Sequence, residues 1–441
     1  MISTTSGFNA KNAALARTPI YVFAIGGQAT VYSTHNLAKM GVTGTLPAYE
    51  TWLRVPTGAT QSIDVQGGTS SIGEMECEVV DYGGAVRSLV GSVTLEGSSA
   101  TLLVGYPGTA YTDFATLNVY TLYKVIPSQS YSSYLFRSKD IQIDVRQTIW
   151  NNPLNGYPLA ADNPWIIQGT PCEIVQAICL LGLAMDASKV DSAGLVQLDS
   201  AAENLYGCAR PYLFQEYQPF QAKDFLENQI YKSAGMYPVV NNLGQYSVRA
   251  CRAPAAGASA VFAFTQNNII GLPTFDRANI LNDLLWTYDA DDQQQNYAST
   301  ALYLDATSIG EFGISNERQV RSNGLRTELG AQWFIQDISG RMFARFAGTT
   351  GLRGGAPLLT VNAFLLTLPV WVGDYVTVTH PLMPNLFTGG LGITNRLFEI
   401  ISRSPDYANG KMQYQLLDTG LTGASAAAQF NTAVIDTALI Y

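Results

Sequence analysis

Short runs of β-branched and aromatic residues, separated by turn-forming clusters, recur along the first third of the chain and predict a β-rich fold. The first run, Tyr21–Ile25, leads into Gly26-Gly27 and resumes at Thr30–Thr34. Glycine adopts the positive φ that tight turns require, so this pattern predicts a β-hairpin. Further strands are predicted at Glu76–Val80, Thr101–Tyr106, Leu117–Val125 and Tyr134–Val145. Many short strands with regular turns are typical of a barrel or a sandwich.

A helix is predicted to begin after this β region. The segment Thr170–Glu173 supplies a threonine as N-cap, a proline at the first helical position and a glutamate at the third. These residues satisfy backbone amide groups that have no partner inside the helix. Apolar residues then follow at helical spacing as Ile174, Ile178 and Leu181, and Gly182 is the expected end of the helix.

A second helix, Ala222–Ala234, is predicted from the apolar stripe of Phe225, Leu226 and Ile230. Two strands are predicted directly after it, Met236–Val240 and Gln245–Ala250. The Ala-, Gly- and Pro-rich stretch Ala253–Ala260 has the composition of a linker.

The C-terminal half is predicted to combine strands with one long helix, Leu325–Phe346. Its apolar face is formed by Leu325, Leu329, Trp333, Ile338, Met342 and Phe346. The charged residues placed mostly on its other faces are Arg326, Glu328, Arg341 and Arg345. The predicted strands are Asp283–Tyr288, Ala298–Leu304, Leu358–Leu368, Tyr375–Thr379, Leu397–Ser402 and Met412–Leu417.

The order of these elements predicts a β-rich α+β fold with two tube-like β-barrel domains flanking a mixed helical segment. We place an N-terminal β-barrel domain at residues 1–146, a mixed helical and β middle domain at 147–265, and a second β-barrel domain with one long helix at 266–422. A C-terminal arm, residues 423–441, is rich in Ala and Thr and is expected to pack on a neighbouring subunit. Leu117–Val145 and Leu397–Leu417 share a strand–loop–strand plan, as two similar barrels would, although hairpins of this kind are common.

The composition favours an assembly subunit and excludes several functional classes. Charged residues make up 13% of the chain, against roughly 25% in typical proteins, while 47% of the residues are apolar. The net charge of −9 repels nucleic-acid phosphates, so tight binding of DNA is not expected. The first residues lack the basic flank and apolar core of a signal peptide. No apolar stretch reaches the ~20 residues that a membrane-spanning helix needs.

No motif with catalytic chemistry is found. The two histidines, His35 and His380, stand beside turn-forming residues and are predicted to lie in loops, without a nucleophile motif nearby. The carboxylates Asp289, Asp291 and Asp292 could in principle cleave a glycosidic bond, but we interpret them as a solvated acidic turn. We therefore predict no catalytic, cofactor-binding or metal-binding residues.

The cysteines are predicted to be free thiols. The chain has five of them, an odd number without close pairs: Cys77, Cys172, Cys179, Cys208 and Cys251. Free thiols fit a protein that folds in the cytoplasm. An iron–sulfur cluster held by Cys172, Cys179, Cys208 and Cys251 is the remaining metal hypothesis. Against it, Cys179 follows Ile178 on an apolar helical face, where a small buried thiol is the ordinary arrangement.

Several short motifs follow one another in a characteristic order. In the middle of the chain they are Pro171–Ile178, Ala222–Glu227, Ser233–Tyr237 and Asn242–Val248. In the C-terminal half they are Asn279–Asn282, Leu284–Asp289, Ser315–Arg318, Val372–Val378 and Leu416–Asp418. This order resembles that of the hub proteins of bacteriophage tails, including those of contractile and of long flexible tails. The resemblance spans most of residues 1–420 and depends on the order of the motifs.

The resemblance implies an architectural role. Hubs of this family form homotrimers in which two barrels per chain build a pseudo-sixfold ring. Such a ring joins the hexameric distal tail or tail tube proteins to a trimeric central spike or fibre, and DNA passes through it without specific binding. The expected location is the tail tip or baseplate of the virion, assembled in the cytoplasm of the bacterial host.

Three other functions remain as alternatives to a tail hub. One is a distal-tail adaptor that forms a hexameric ring. The second is a tip-borne hydrolase of glycan or peptidoglycan, against which the scarcity of histidines and nucleophile motifs argues. The third is a carbohydrate-binding β-sandwich module, against which the helical middle segment argues.

Overall fold

A computed structural model describes most of the chain. The described residues are 4–12, 18–129, 132–195, 211–241, 243–251, 259–291, 296–327, 331–348, 354–367, 370–385 and 389–422. Several predicted features lie outside them: Cys208, Asn242, Asp292, Glu328, Leu329, most of the linker (253–258), the arm 423–441 and the side chain of Trp333.

The N-terminal region forms a seven-stranded sheet with the order β3-β2-β1-β7-β8-β9-β6. Its strands are β1 Ile20–Ile25, β2 Thr30–Ser33, β3 Ala48–Glu50, β6 Glu74–Val80, β7 Ser99–Gly105, β8 Ala115–Pro127 and β9 Ser133–Lys139. The predicted hairpin of β1 and β2 is confirmed. Two further strands, β4 Gln61–Asp64 and β5 Thr69–Ser70, form a hairpin beside this sheet. The region also contains helices α1 Ser6–Asn12 and α2 Ala85–Ser92.

The N-terminal sheet closes into a barrel because the chain that follows β3 runs along the outer edge of β6. The amide of Arg54 donates to the carbonyl of Glu78 at 2.9 Å, and the amide of Val80 donates to the carbonyl of Trp52 at 2.8 Å. These bonds connect β6, at one edge of the sheet, to the segment that directly follows β3, at the other edge. Alternate residues of β6 point inward and are buried, as the period of two in a half-buried strand requires.

In the described residues between 147 and 251, the chain forms small antiparallel sheets and two longer helices. The paired strands are β10 Thr148–Ile149 with β13 Phe220–Gln221, β11 Trp165–Gly169 with β12 Tyr212–Glu216, and β14 Met236–Val240 with β15 Tyr246–Ala250. Helix α3, Pro171–Gln176, continues as a π-helix over Ala177–Gly182. The second helix consists of α4 Ala222–Phe225, a π-helical stretch Leu226–Tyr231, and α5 Lys232–Ala234.

Both predicted middle helices are confirmed, but one residue of the first helix lies on a different face from the one predicted. The Thr170 side chain accepts from the Glu173 amide and the Glu173 side chain accepts from the Thr170 amide, which completes the predicted capping box. Leu181 was placed on the buried face but is 53% exposed. A π turn uses i→i+5 bonds instead of i→i+4, so residues beyond it rotate away from the face that a regular helix would give them. Gly235 ends the second helix at a φ of 58°.

The C-terminal region forms a second large sheet with the order β16-β22-β23-β24-β21-β17. Its strands are β16 Phe262–Thr265, β17 Thr274–Arg277, β21 Pro357–Phe364, β22 Tyr375–Asn385, β23 Gly390–Asp406 and β24 Lys411–Thr422. Thr265 pairs with Thr379 at one edge, and Ile269, one short turn later, bridges to Ala363 near the other edge. The sheet therefore curls until its edges almost meet. The predicted fold class, a β-rich α+β fold with two tube-like β-barrels, is confirmed: the chain is β-rich and contains two curled, barrel-like sheets.

A three-stranded sheet and two helices complete the C-terminal half. The sheet has the order β19-β18-β20, with β18 Asp283–Ala290, β19 Tyr297–Leu304 and β20 Glu317–Arg321. The helices are α6 Ala306–Phe312 and α7 Ala331–Phe346. The long helix thus begins at Ala331 and not at Leu325, because Leu325 lies in a β-bridge with Tyr212.

Four further details differ from the sequence predictions. The strand predicted to reach Val145 ends at Lys139, and Ile141–Arg146 forms a 3-10 helix. His380 lies in β22 and is 4% exposed, so its predicted loop position is wrong, whereas His35 lies in a bend as predicted. Asp289 belongs to strand β18 and not to a turn. Arg345, placed away from the apolar face of its helix, is buried.

The two large sheets share one continuous core. A single cluster of buried apolar side chains extends from Phe8 to Leu417. The predicted division at residues 146 and 265 stays a prediction. Among the described residues, no helix combines the length and the apolarity needed to cross a bilayer.

Candidate functional site

The first candidate site is the joint between the two curled sheets. Strand β4 of the N-terminal region pairs with β23 of the C-terminal sheet, with Ser62 opposite Ser402 and Gln61 opposite Arg403. The Thr60 and Ser404 hydroxyls are hydrogen-bonded at 2.9 Å. A hairpin of the N-terminal region is therefore added to the C-terminal sheet by backbone pairing between segments about 340 residues apart in sequence.

A glycine permits the close approach of the two chain segments that meet at this joint. A Cβ atom built on Gly58 would lie 2.2 Å from the carbonyl oxygen of Pro405 and 2.9 Å from its carbonyl carbon. Backbone atoms cannot move aside as the end of a flexible side chain can. The joint therefore requires a residue without a side chain at position 58.

Aromatic rings and one buried cation fill the interior of the joint. The rings of Tyr21, on β1, and Tyr407, after β23, are 5.0 Å apart. The guanidinium of Arg403 is fully buried and lies 4.6 Å from the centre of the Trp371 ring, in cation–π geometry. Burial, together with the neighbouring Tyr407, raises the pKa of Tyr21 far above its usual value, so its hydroxyl stays neutral. The joint is thus a buried contact made of aromatic rings and one cation.

A second network joins three separate elements around a buried ion pair. Arg345 of α7 and Tyr237 of β14 both donate hydrogen bonds to the carboxylate of Glu399 on β23. The Arg345 and Glu399 side chains are 1% and 0% exposed. Burial by itself lowers the pKa of Arg345, but the adjacent Glu399 carboxylate, together with Cys251 and Tyr237, raises that pKa above its usual value. Arg345 therefore stays charged, and the hydrogen bonds from Arg345 and Tyr237 to Glu399 fix the long helix and the middle hairpin to the C-terminal sheet.

Both networks fix other elements to strand β23: the first fixes the β4–β5 hairpin, and the second fixes α7 and the β14–β15 hairpin. Contacts of this kind have an architectural role. Solved structures with a similar arrangement include the 43 kDa tail protein of prophage MuSo2 from Shewanella oneidensis, which is 12% identical. The similarity covers 91% of this chain and 99% of that protein, with a TM-score of 0.47. The chain resembles phage tail proteins.

Other solved structures in the comparison are of the same kind. The tail protein from Neisseria meningitidis MC58 is 10% identical over 92% of this chain and 99% of that one, with a TM-score of 0.45. The prophage tail protein gp18 from Listeria monocytogenes EGD-e is 11% identical over 95% and 100% of the two chains, with a TM-score of 0.44. No family model and no curated protein sequence matches the chain.

The described cysteines do not form one group. Cys77, Cys172, Cys179 and Cys251 are all buried, and none of them is joined to another by a disulfide bond. Cys172 and Cys179 both lie near Tyr231. Cys251 lies beside the Arg345–Glu399 pair, and burial raises its pKa to about 11. Cys179 lies instead beside Tyr231 and Tyr246, and burial raises its pKa to about 12. Within the described ranges, no three His, Cys, Asp or Glu residues are grouped as a metal site would require. The absence of a metal stays a prediction.

The other residues weighed for chemistry have ordinary structural partners. The Nδ1 atom of His380 accepts from the Leu382 amide at 3.2 Å. Asp289 accepts a hydrogen bond from the Thr327 hydroxyl at 2.9 Å. Its carboxylate also forms an ion pair with the Arg326 guanidinium, with 3.8 Å between Oδ1 and Nη1. The absence of catalytic residues stays a prediction.

A polar surface depression of about 430 Å³ lies beside β6. Its two carboxylates are Glu74 and Glu76, and both are engaged by cations. Glu76 pairs with Arg137 at 2.6 Å, and Glu74 pairs with Lys139 at 2.8 Å. The depression is therefore lined by ion pairs rather than by a free acid and base.

Asp140 is a buried carboxylate that supports the hairpin of β4 and β5. Its oxygens accept from the amides of Gly73 at 2.7 Å and Gln142 at 3.0 Å. The Gln142 side chain in turn bonds Ser70 at 2.6 Å and the Ser71 carbonyl at 3.0 Å. Asp140 therefore holds, through Gln142, the hairpin that pairs with the second sheet. Burial raises the pKa of Asp140 to about 6, although the amides of Gly73 and Gln142 oppose the shift.

We expect the contribution of Asp140 to the stability of the folded protein to fall as the pH rises from about 4 to about 6, and Asp140→Asn to remove that contribution. Because the folded-state pKa is above the unfolded value, the folded state binds a proton more tightly and loses that advantage as pH rises. Urea unfolding at several pH values measures the effect. Asp186→Asn is the control, since Asp186 also caps a 3-10 helix but is exposed, with its pKa lowered by hydrogen bonds from Ser188. An unchanged pH slope in Asp140→Asn would contradict the prediction.

Proposed function

We propose that this chain is a structural hub of a phage tail tip or baseplate. The observation that carries the proposal is the presence of two curled sheets in one chain, held in a fixed relation by a buried joint. Three copies would present six such sheets in a ring, which matches the sixfold symmetry of a tail on one side. The threefold symmetry of the ring matches a trimeric spike or fibre on the other side.

The proposed partners follow from this symmetry. They are other copies of the chain, the distal tail or tail tube proteins, and the central spike or fibre protein. The proposed location is the tip of the virion tail, after assembly in the cytoplasm of the host. The order of the sequence motifs supports the same assignment, because the resemblance extends over both sheets and the middle segment.

The proposed role is not enzymatic. The residues weighed for chemistry are occupied by structural contacts, and the carboxylates of the surface depression are ion-paired. Any cleavage of peptidoglycan or exopolysaccharide would then reside in another tail protein.

The hub would also form part of the channel for DNA ejection. A lining rich in Lys and Arg would hold DNA by releasing its counterions, whereas rapid transit needs a wall that DNA does not bind. The net charge of −9 per chain gives three times that, −27, for a trimer. We therefore propose a neutral to acidic bore.

The isolated protein is expected to assemble as a homotrimer. Three times the chain mass of 47.6 kDa gives ~143 kDa, which native mass spectrometry or sedimentation equilibrium resolves from the other states. A hexamer of twice that mass would instead favour the distal-tail adaptor ring. A monomer that stays monomeric when mixed with the spike protein would overturn the hub proposal.

A further inference from the structure

Strand β19 is an unprotected sheet edge. It is the outermost strand of the β19-β18-β20 sheet, and within the described part of the chain it pairs only with β18. Its eight residues, Tyr297–Leu304, include no charge, no proline and no glycine. Natural proteins usually blunt edge strands with charges, prolines, bulges or a covering element, because unpaired backbone groups recruit other strands. β19 contains neither the charges nor the prolines that protect such an edge, so it is suited to pairing with another strand.

The outer face of this sheet carries exposed leucines at its β19 edge, although β20 contributes Glu317, Gln319 and Arg321 to the same face. Alternate residues of β19 are exposed, and among them Leu302 is 56% and Leu304 is 48% exposed. Leu285 lies directly opposite Leu302 on β18 and extends the same face. An added strand would cover these leucines as well as satisfy the free backbone edge.

The sheet faces away from the barrel in which β24 ends. On the inner face, the Trp286 indole donates to the Ser339 hydroxyl of α7 at 3.0 Å. The same helix contacts the C-terminal sheet through Arg345 and Glu399. Helix α7, about 10 Å wide, therefore separates the sheet from that barrel. Because α7 lies between the β19 sheet and the C-terminal sheet that contains β24, we take a neighbouring subunit as the source of the added strand.

The chain itself contains a suitable segment after its last described residue. Residues 432–441 read Thr-Ala-Val-Ile-Asp-Thr-Ala-Leu-Ile-Tyr, with one charge and with no glycine or proline. Six small residues, 423–428, precede it as a natural linker. Ten extended residues span about 33 Å, which is enough to cover an eight-residue strand of about 26 Å. The segment is rich in Thr, Val and Ile, the residue types favoured in strands.

We propose that residues 432–441 of one subunit pair with the edge of β19 on a neighbouring subunit. This inference rests on the proposed multi-subunit hub and names the receiving surface of its arm. Backbone hydrogen bonds along the edge would supply affinity, as in other cases of strand addition. Contact between the segment's apolar residues and Leu302 and Leu304 would set the register.

Hydrogen exchange on mixed assemblies tests the proposal. Isotopically labelled protein ending at Thr422 is mixed with unlabelled full chain, and exchange is measured at the β19 amides of the labelled copies. Docking from a neighbour predicts exchange slowed by about tenfold or more in the mixture, relative to the labelled protein alone. Protection seen only in full-length subunits would show docking within one chain and would overturn the proposal.

Two matched variants test the receiving surface. Leu302→Glu places a charge on the proposed contact and should abolish the protection. Leu391→Glu is the control, since Leu391 is a similarly exposed leucine on β23, and it should leave the protection unchanged. A stable trimer with fast exchange at β19 would overturn this inference and leave the hub proposal intact. Loss of the trimer in every form of the protein would count against the hub proposal itself.

Discussion

Glu399→Ala is expected to lower the free energy of unfolding by about 3–5 kcal/mol, the range found when one partner of a buried ion pair is removed. The substitution leaves the Arg345 guanidinium charged and buried, without the carboxylate that offsets its desolvation. It also removes the acceptor of the Tyr237 hydroxyl. Helix α7, the middle hairpin and strand β23 would lose their common contact at once.

Urea unfolding of matched variants tests this expectation. Glu76→Ala breaks the exposed pair with Arg137, in which both side chains are accessible to water, and should cost less than about 1 kcal/mol. Replacing both buried partners, as Arg345→Met with Glu399→Leu, should cost less than Glu399→Ala alone because no unpaired charge remains. A loss for Glu399→Ala no larger than that for Glu76→Ala would contradict the assigned role of the pair.

Local elements could be predicted from the sequence because their determinants are adjacent in the chain. The capping box at Thr170 and Glu173 formed as expected, since it needs only residues three apart. Gly235 ends its helix because it adopts a positive φ that other residues disfavour. The hairpin of β1 and β2 follows from alternation and a glycine turn.

Features that depend on distant contacts could not be predicted in this way. The pairing of β4 with β23 links segments separated by most of the chain, and no local pattern specifies such a partner. The helical pattern alone predicts that Arg345 is exposed, because its burial depends on the distant partner Glu399. The π turn that exposes Leu181 has no simple sequence signal, so a regular helical period assigns that residue to the wrong face. The candidate site is made almost wholly of such contacts, which explains why the sequence yielded an architecture and no site.

The joint between the sheets provides the second large expected effect. Gly58→Ala should destabilise the protein by about 3 kcal/mol, the upper part of the range for overpacking. Its new methyl group would meet the carbonyl oxygen of Pro405 at 2.2 Å, so either β4 or the end of β23 must move. The loss should be largest where the two sheets meet, and the amides of Gln61–Asp64 should exchange faster than in the wild-type protein.

A second glycine provides the control for this effect. Gly91 lies in helix α2 with nothing within 4 Å of a built Cβ, and Gly91→Ala should stabilise the protein by about 0.5–1 kcal/mol because alanine favours the helix. Both substitutions add one methyl group, but only at Gly58 does that group meet backbone atoms of another segment. Thermal and urea unfolding of the two variants, with hydrogen exchange at β4, separates the steric effect from the loss of glycine itself. If Gly58→Ala is as stable as the wild type and β4 stays protected, the close contact does not hold the two sheets together, and the fixed joint on which the hub proposal depends is wrong.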